Sequence, residues 1–404
     1  MIELIDIVLL LFVAKVLGEL FSRMSISSIV AEVLTGICLG PFILNIVAPT
    51  EAFNVLAELG LLMMMLYVGL TSKYTDLSRS KFSSSVIGSL GVIASFGLGF
   101  AFCYAFGFGL LESVFLGILL SNTSIEVVSG MIINEDTQDM GPVLVASALA
   151  DDFIAIYLIG VLSAIANTGA LDMATFGLIT IKIVVFLFAV LYISDKILVK
   201  DIFKLVSMRF FRSDYQMLSV MFILTFSLAL LANALGLHEI IGAYLAGLVI
   251  GRVREFKDPM LNVQVTLNEN IEHLGVTLKS IFMPFFFISI GLSFNPVSGI
   301  SVLFIVIISV AAFGGKMLGC GLGAYLSGFN KGKAILIGVG MCGRGSLELA
   351  LVNYGYNSGV IGEDVFTTII IVSLMTIILT PLLFKWGLSR LARYGAFQTL
   401  EPSA

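Results

Sequence analysis

Two adjacent carboxylates interrupt an apolar run at Leu149-Ala150-Asp151-Asp152-Phe153. The run extends from Val143 to Ile165 and carries no other charge. A helix crosses a bilayer with about 20 apolar residues, so this run is long enough to span one. A carboxylate at bilayer depth costs at least about 2.5–3.5 kcal/mol. The pair therefore indicates a functional site, unless it lies in polar packing or at a misplaced helix end.

The composition of the whole chain is that of a membrane protein with many spanning helices. Hydrophobic residues make up 58% of the 404 residues and charged residues only 12%. A soluble domain carries about twice that charge. The chain has no basic tract that would suggest a nucleic-acid partner, and its four cysteines show neither metal-ligand nor redox spacing. We therefore expect no cofactor.

Apolar segments separated by short polar turns predict about thirteen transmembrane helices in an all-α protein. Their approximate limits are 4–21, 27–48, 53–71, 84–106, 111–133, 142–165, 173–195, 215–236, 239–251, 280–297, 300–327, 333–354 and 365–389. Lysine and arginine concentrate in alternate loops, chiefly within residues 73–81, 196–212, 252–257, 331–333 and 385–393. The positive-inside rule makes that side cytoplasmic. The N-terminus is then expected outside and the C-terminus in the cytoplasm.

The chain also contains an internal repeat. Ile29–Gly40 matches Ile240–Gly251, Tyr67–Leu70 matches Ser289–Leu292, and Ser124–Val127 matches Ser346–Leu349, in the same order. Spans two to six then repeat as spans nine to thirteen, and an odd separation of seven spans inverts the second copy. We expect one transmembrane domain over residues 1–404, with repeats at about 27–165 and 239–389. Helices 1, 7 and 8 are expected to serve as scaffold or linker. Inverted repeats are typical of transporters, with the substrate site between them near the midplane.

Two spans are predicted to be broken helices. Span five contains Ser121-Asn122-Thr123-Ser124, four polar residues that compete for backbone hydrogen bonds. The matching part of span twelve, Gly338–Ser346, is rich in glycine. Interrupted helices at matching positions indicate an ion site, because freed carbonyls and hydroxyls are hard oxygen ligands suited to an alkali cation. Gly343–Gly345 could instead serve close packing.

Six charged residues within the predicted spans need partners. Asp151 and Asp152 leave a helix about 100° apart, so one can face a cavity while the other meets a neighbouring helix. Lys316, among the small residues of Gly314–Gly319, is the expected charge partner. Arg344 and Glu348 are four residues apart on one helix face, and Glu126 is the repeat mate of Glu348. We expect these three residues to form a structural ion-pair network. A direct ion-ligand role for either glutamate is the alternative.

The sequence resembles the second family of monovalent cation–proton antiporters along nearly its whole length. The resemblance is carried by Ala31–Pro41, Glu58–Leu62, Gly236–Gly247 and Met283–Gly291. The double aspartate is similar to that of the electrogenic sodium–proton antiporters of this group. The resemblance implies a homodimer, a crossed pair of broken helices, and a core that moves against a dimerisation scaffold. It also implies Asp152 as the main ion carboxylate, Thr123 as a cavity ligand, and Asp151 paired with Lys316.

The function expected from this resemblance is exchange of Na+, and of Li+, for H+ across the cell membrane by alternating access. Asp152, Asp151 and Thr123 would hold Na+, with Ser121 and Asn122 in the same ion-binding and proton-carrying set. An arriving cation would displace a proton from Asp152 and weaken the Asp151–Lys316 pair, so that Lys316 releases a second proton. Exchange would then be electrogenic. Ser121-Asn122-Thr123 departs from the usual pattern of the family, and Glu126 is an added acid, which leaves cation selectivity open.

Three other functions are alternatives to Na+/H+ exchange. K+/H+ exchange is an alternative within the same family, although we expect no nucleotide-binding domain after residue 404 of the kind found in the gated potassium-efflux branch. An intramembrane aspartyl protease would need two carboxylates facing each other from two helices. Here the two are neighbours on one helix, and we do not expect an enzyme. A passive channel would not need a titrating aspartate–lysine pair.

Overall fold

The computed structural model describes residues 2–23, 26–71, 81–131, 140–148, 214–235, 239–253, 272–296 and 301–393, with Ala150, Asp151, Ile154, Tyr157 and part of 181–192. Every regular element within these residues is a helix. The helices are α1 (Ile2–Arg23), α2 (Ser28–Leu39), α3 (Glu51–Thr71), α4 (Lys81–Ala105), α5 (Leu110–Ser121), α6 (Ile125–Met131), α7 (Asp214–Ala234), α8 (Glu239–Val253), α9 (Glu272–Leu292), α10 (Val302–Leu326), α11 (Lys331–Gly340), α12 (Ser346–Asn357) and α13 (Glu363–Arg393). Asp151 lies on a further helical segment that includes residues 141–148.

Five helices in the described part of the chain are long and apolar enough to cross a membrane, namely α3, α4, α9, α10 and α13. Helices α2, α5, α7 and α8 contain shorter apolar segments. Much of predicted spans six and seven, 142–165 and 173–195, lies outside the described residues. The count of about thirteen spans therefore stays a prediction.

The chain divides into two compact units. The first unit comprises Met1–Ala14, Thr35–Thr75 and Ile156–Ser293, and the second comprises Lys15–Leu34, Asp76–Ala155 and Phe294–Ala404. The core of the first unit includes Met63 and Leu66 of α3, packed with Ile250 of α8. The core of the second unit includes Ile337 of α11 and Phe384 of α13.

The first unit contains the same glycine contact twice. A Cβ atom on Gly36 would lie 2.8 Å from Cα of Gly291, and a Cβ atom on Gly247 would lie 2.8 Å from Cα of Gly69. Gly247 is the repeat mate of Gly36, and Gly291 is the repeat mate of Gly69. Each helix pair therefore meets backbone to backbone at matching positions, which is the packing that an internal repeat produces. The repeat boundaries themselves, 27–165 and 239–389, stay a prediction.

The second predicted span, 27–48, is too long. Helix α2 ends at Leu39, because Pro41 has no N–H to continue the helical ladder and disfavours the helical conformation at the residue before it. The chain then turns back through Asn45, whose φ of 50° is tolerated by a short polar side chain. The Asn45 N–H donates to the carbonyl of Gly40 at 2.9 Å.

The tenth predicted span, 280–297, is wrong at both ends, because the helix there is α9. The helix begins before Lys279, whose ammonium lies 4.6 Å from the ring centroid of Tyr67. The sequence predicts a break of this span at Pro284, but the helix continues through the proline. A π-helical segment, Leu278–Phe282, precedes it, and the N–H of Met283 donates to the carbonyl of Leu278. The wider turn accommodates the missing proline N–H.

Helices α4 and α10 pack closely against each other in the second unit. Small residues at four-residue spacing on α10 let its backbone approach that of α4. The Cβ-to-Cα distances would be 2.6 Å from Gly315 to Ser95, 2.9 Å from Gly319 to Gly91, and 2.8 Å from Gly323 to Ile87. The reversed order of the partners shows that the two helices run antiparallel. Lys316 follows the first of these glycines and is thereby brought into the core.

Candidate functional site

Two helix breaks meet in the second unit. Helix α5 ends at Ser121 and α6 begins at Ile125, while α11 ends at Gly340 and α12 begins at Ser346. The residues between them are extended or in turns. The Ser124 N–H donates to the carbonyl of Gly343 at 2.8 Å, and the Thr123 hydroxyl donates to the carbonyl of Met341 at 2.8 Å. The two broken helices predicted from the sequence are therefore present and cross at their breaks.

The glycines of the second break also serve close packing. A Cβ atom on Gly345 would collide with the Ser124 hydroxyl, and one on Gly343 would lie 2.5 Å from Cγ1 of Val127. The two interpretations of Gly343–Gly345 are thus compatible. The same residues interrupt the helix and let the other break approach.

Arg344 joins the second break to the end of helix α5. Its guanidinium donates to the carbonyl of Leu119 at 2.7 Å, to that of Leu120 at 2.6 Å, and to the Glu348 carboxylate at 3.1 Å. Arg344 and Glu348 are completely buried. The last carbonyls of a helix have no intrahelical donor and carry a partial negative charge, so a cation satisfies them. The side chain of Glu126, the third expected member of this network, lies outside the described residues.

Lys316 and Asp151 form a second buried ion pair. The Lys316 ammonium donates to Oδ2 of Asp151, and both side chains are 0% exposed. The Thr123 hydroxyl lies beside the Asp151 carboxylate. The structure thus brings together Asp151, Lys316 and Thr123 from the expected site. Asp152, the expected main carboxylate, lies outside the described residues.

Several buried oxygens at this site accept no hydrogen bond from the described residues. They include Oδ1 of Asp151, Oδ1 of Asn122 and Oε2 of Glu348. The Ser121 hydroxyl, by contrast, donates to the carbonyl of Ile118 at 2.8 Å, one turn back in its own helix. A carboxylate oxygen, an amide oxygen and carbonyls freed by helix breaks are the ligand types that alkali cations prefer. The ammonium of a buried ion pair can also release a proton when its carboxylate partner is drawn away.

Helix α4 was assigned no role from the sequence, although it borders the site. A Cβ atom on Gly91 would lie 3.7 Å from Nζ of Lys316, and one on Gly88 would lie 3.1 Å from the carbonyl of Ser147 on the Asp151 segment. Small residues at Gly88, Gly91 and Ser95 share one helix face, which is the signal that could have identified α4 as the packing surface. The Met341 carbonyl was also missed, since a backbone acceptor has no sequence signature.

Crossed helix breaks beside a buried aspartate–lysine pair define an ion-coupled membrane transporter. Residues 8–389 match the family model described as sodium/hydrogen exchanger, transmembrane. The chain therefore belongs to the sodium/hydrogen exchanger family, as the sequence resemblance indicated.

Individual relatives match over nearly the whole chain. The Na+/H+–K+ antiporter GerN of Bacillus cereus is 29% identical over 390 residues, which cover 94% of this chain and 95% of that protein. The Na+/H+ antiporter of Enterococcus hirae is 27% identical over 391 residues, which cover 95% and 98%. The solved structure of the sodium proton antiporter MjNhaP1 from Methanocaldococcus jannaschii has a TM-score of 0.72 at 15% identity, covering 98% of this chain and 99% of that one. At that identity the likeness concerns the fold, and it confirms the all-helical membrane fold.

Proposed function

We propose that this protein exchanges Na+, and also Li+, for H+ across a membrane by alternating access. The observation that carries the proposal is the buried Asp151–Lys316 pair next to the contact between Thr123 and the Met341 carbonyl. A transporter that exchanges Na+ for H+ needs a titratable group, which carries the proton, at the place where Na+ binds. The relatives are named as antiporters, which supports a transporter and not an enzyme.

We assign the roles of the site as follows. Asp152 is the main carboxylate for the cation, and Asp151 and Thr123 complete the Na+ site from the same cavity. Asn122 supplies a buried amide oxygen, and Ser121 terminates the helix that presents these groups. Arg344 and Glu348 hold the two breaks together without contacting the ion.

Proton coupling follows from competition for the same carboxylates. Without Na+, Asp152 carries a proton and Asp151 stays paired with Lys316. An arriving Na+ displaces the Asp152 proton and draws on Asp151, and the buried ammonium of Lys316 then loses its counter-ion and releases a second proton. Two protons would cross for each Na+, so one net charge moves per cycle and a membrane potential can drive Na+ export.

The proposed setting is a homodimer in the cell membrane. We place the N-terminus outside and the C-terminus in the cytoplasm, because basic residues fill only the loops of one side. Each protomer would carry a complete site, since Asp151, Lys316 and Thr123 lie within the second unit of one chain.

The experiment is proton flux in proteoliposomes that contain the purified protein and an internal pH dye. An outward Na+ gradient should drive proton uptake, and an imposed potential should change the rate. Liposomes without protein and liposomes with Asp152→Asn are the controls. Absence of Na+-dependent flux at every pH tested would overturn the proposal, and flux that ignores the potential would overturn the two-proton scheme.

K+/H+ exchange is the second candidate, because the relative GerN is named for both Na+ and K+. The same vesicles discriminate between the two when K+ replaces Na+ in the gradient. Proton flux driven by K+ alone would establish the alternative. Flux with both cations would indicate a site of low selectivity.

A further inference from the structure

An apolar groove of about 540 Å³ lies between helices α10 and α11 of the second unit. Several side chains on its walls are strongly exposed, including Leu318 at 62%, Leu322 at 54% and Ile335 at 60%. Its floor is formed where the helices touch, since a Cβ atom on Gly338 would lie 3.3 Å from Cα of Gly321. The exposed leucine and isoleucine side chains are stable against hydrocarbon, so we infer that the groove opens toward lipid.

The length of the groove suits one lipid chain in one leaflet. Its α10 wall extends from Met317 to Tyr325. At a rise of 1.5 Å per residue this wall is about 12 Å long. Half of a bilayer's hydrocarbon core is about 15 Å thick. An acyl chain in the groove would therefore reach from the polar surface most of the way to the midplane.

One end of the groove is basic. Lys331, which lines the groove, is exposed and is the first residue of α11, and Lys333 follows within the same turn. No acidic residue lies in that first turn. The N-terminal end of a helix carries a partial positive charge, and the lysines add to it. An anionic group placed there is therefore stabilised by the lysines and by the helix dipole together.

The neighbouring helix end is also basic. A Cβ atom on Gly332 would lie 2.5 Å from Cδ2 of Leu391, so the C-terminal part of α13 lies beside the start of α11. On that part the Arg390 guanidinium lies 4.2 Å from the ring centroid of Trp386, which is 56% exposed. Tyrosine or tryptophan beside basic residues is typical of the membrane–water interface, and Tyr325 stands at the same end of the groove.

We propose that this groove binds an anionic phospholipid, with one acyl chain between α10 and α11 and the phosphate at Lys331. The charge of the groove mouth selects against a choline phospholipid, whose headgroup carries its own cation. The lipid would bridge α10, which bears Lys316, and α11, which leads into the second helix break. The proposal concerns lipid binding and is independent of which cation is transported.

The test measures lipid binding to the detergent-purified full chain by native mass spectrometry, with phosphatidylglycerol and phosphatidylcholine of identical acyl chains. One basic residue near a lipid surface is worth about 1 kcal/mol, so Lys331 should confer about a fivefold preference for phosphatidylglycerol in the tightest binding step. Lys331→Gln should remove that preference. Leu322→Trp should weaken binding of both lipids by filling the groove.

Arg23→Gln is the matched control, because it removes an exposed charge predicted to lie on the same membrane side. It should keep the preference. Equal binding of the two lipids to the wild-type protein, or equal loss in the Arg23 and Lys331 variants, would overturn the proposal. Displacement of phosphatidylglycerol by excess inorganic phosphate would also overturn it, because the site would then recognise a free anion and not a lipid.

Discussion

The Lys316 ammonium donates to the Asp151 carboxylate at a place where neither side chain touches solvent. Removing one partner of such a pair leaves an isolated buried charge, which is strongly destabilising. In the proposed mechanism, a cation that enters beside Asp151 would therefore act directly on Lys316. This proposed link between cation binding and a second titratable group underlies the first prediction.

Lys316→Gln should convert electrogenic exchange into residual electroneutral exchange. The glutamine can still donate a hydrogen bond to Asp151, but it has no second proton to release. The measurement is Na+-driven proton flux in proteoliposomes with and without an imposed potential. Transport by this variant that still responds to the potential would contradict the assignment, and Arg23→Gln should behave as the wild-type protein does.

Asp152→Asn should abolish transport while leaving the fold intact. An amide supplies an oxygen to the cation but no negative charge to offset its dehydration. Size-exclusion chromatography and thermal unfolding in detergent check the fold, and vesicle flux checks the activity. Na+-driven proton flux at the wild-type rate would remove Asp152 from the site.

Thr123→Val should weaken the apparent Na+ affinity by up to about tenfold, since a buried hydrogen bond is worth about 0.5–1.5 kcal/mol. Valine keeps the shape of threonine but leaves the Met341 carbonyl without its donor. Thr123→Ser keeps the hydroxyl and is the matched control. If the two variants show the same Na+ dependence, the hydroxyl takes no part in binding.

Arg344→Ala should destabilise the protein by about 3–5 kcal/mol, the cost of breaking a buried pair by removing one partner. The change removes the hydrogen bonds that the guanidinium donates to the carbonyls of Leu119 and Leu120, and it leaves the Glu348 carboxylate buried without its ion-pair partner. Thermal unfolding in detergent measures the loss. A melting temperature close to that of the wild-type protein would show that Arg344 does not hold the breaks together.

Gly36→Ala and Gly247→Ala should destabilise the protein to a similar degree, by about 1–3 kcal/mol each. Both added methyl groups collide with the backbone of a neighbouring helix at matching repeat positions. Gly314→Ala is the control, because a Cβ atom there would meet nothing within 4 Å. Equal stability of all three variants would contradict the close contacts of Gly36 with Gly291 and of Gly247 with Gly69.

Local properties of the sequence predicted the membrane class and the two helix breaks. Hydropathy can be read from a single stretch of the chain. The polar run Ser121–Ser124 and the glycine run of the second break each interrupt a helix within a few residues, so they too can be read locally. The repeat match also paired Gly36 with Gly247 and Gly69 with Gly291. The same local properties do not place Lys279 within a helix, because its aromatic partner Tyr67 is distant in sequence.

Only the tertiary structure decided which backbone atoms take part in the site. Every residue carries a carbonyl, so nothing in the sequence distinguishes those of Leu119, Leu120 and Met341 from the rest. They become acceptors because one helix ends there and another break crosses it, which brings the Arg344 guanidinium and the Thr123 hydroxyl within hydrogen-bond distance. The sequence determined where the helices fail, and the packing of helices distant in the chain determined what the freed groups bind.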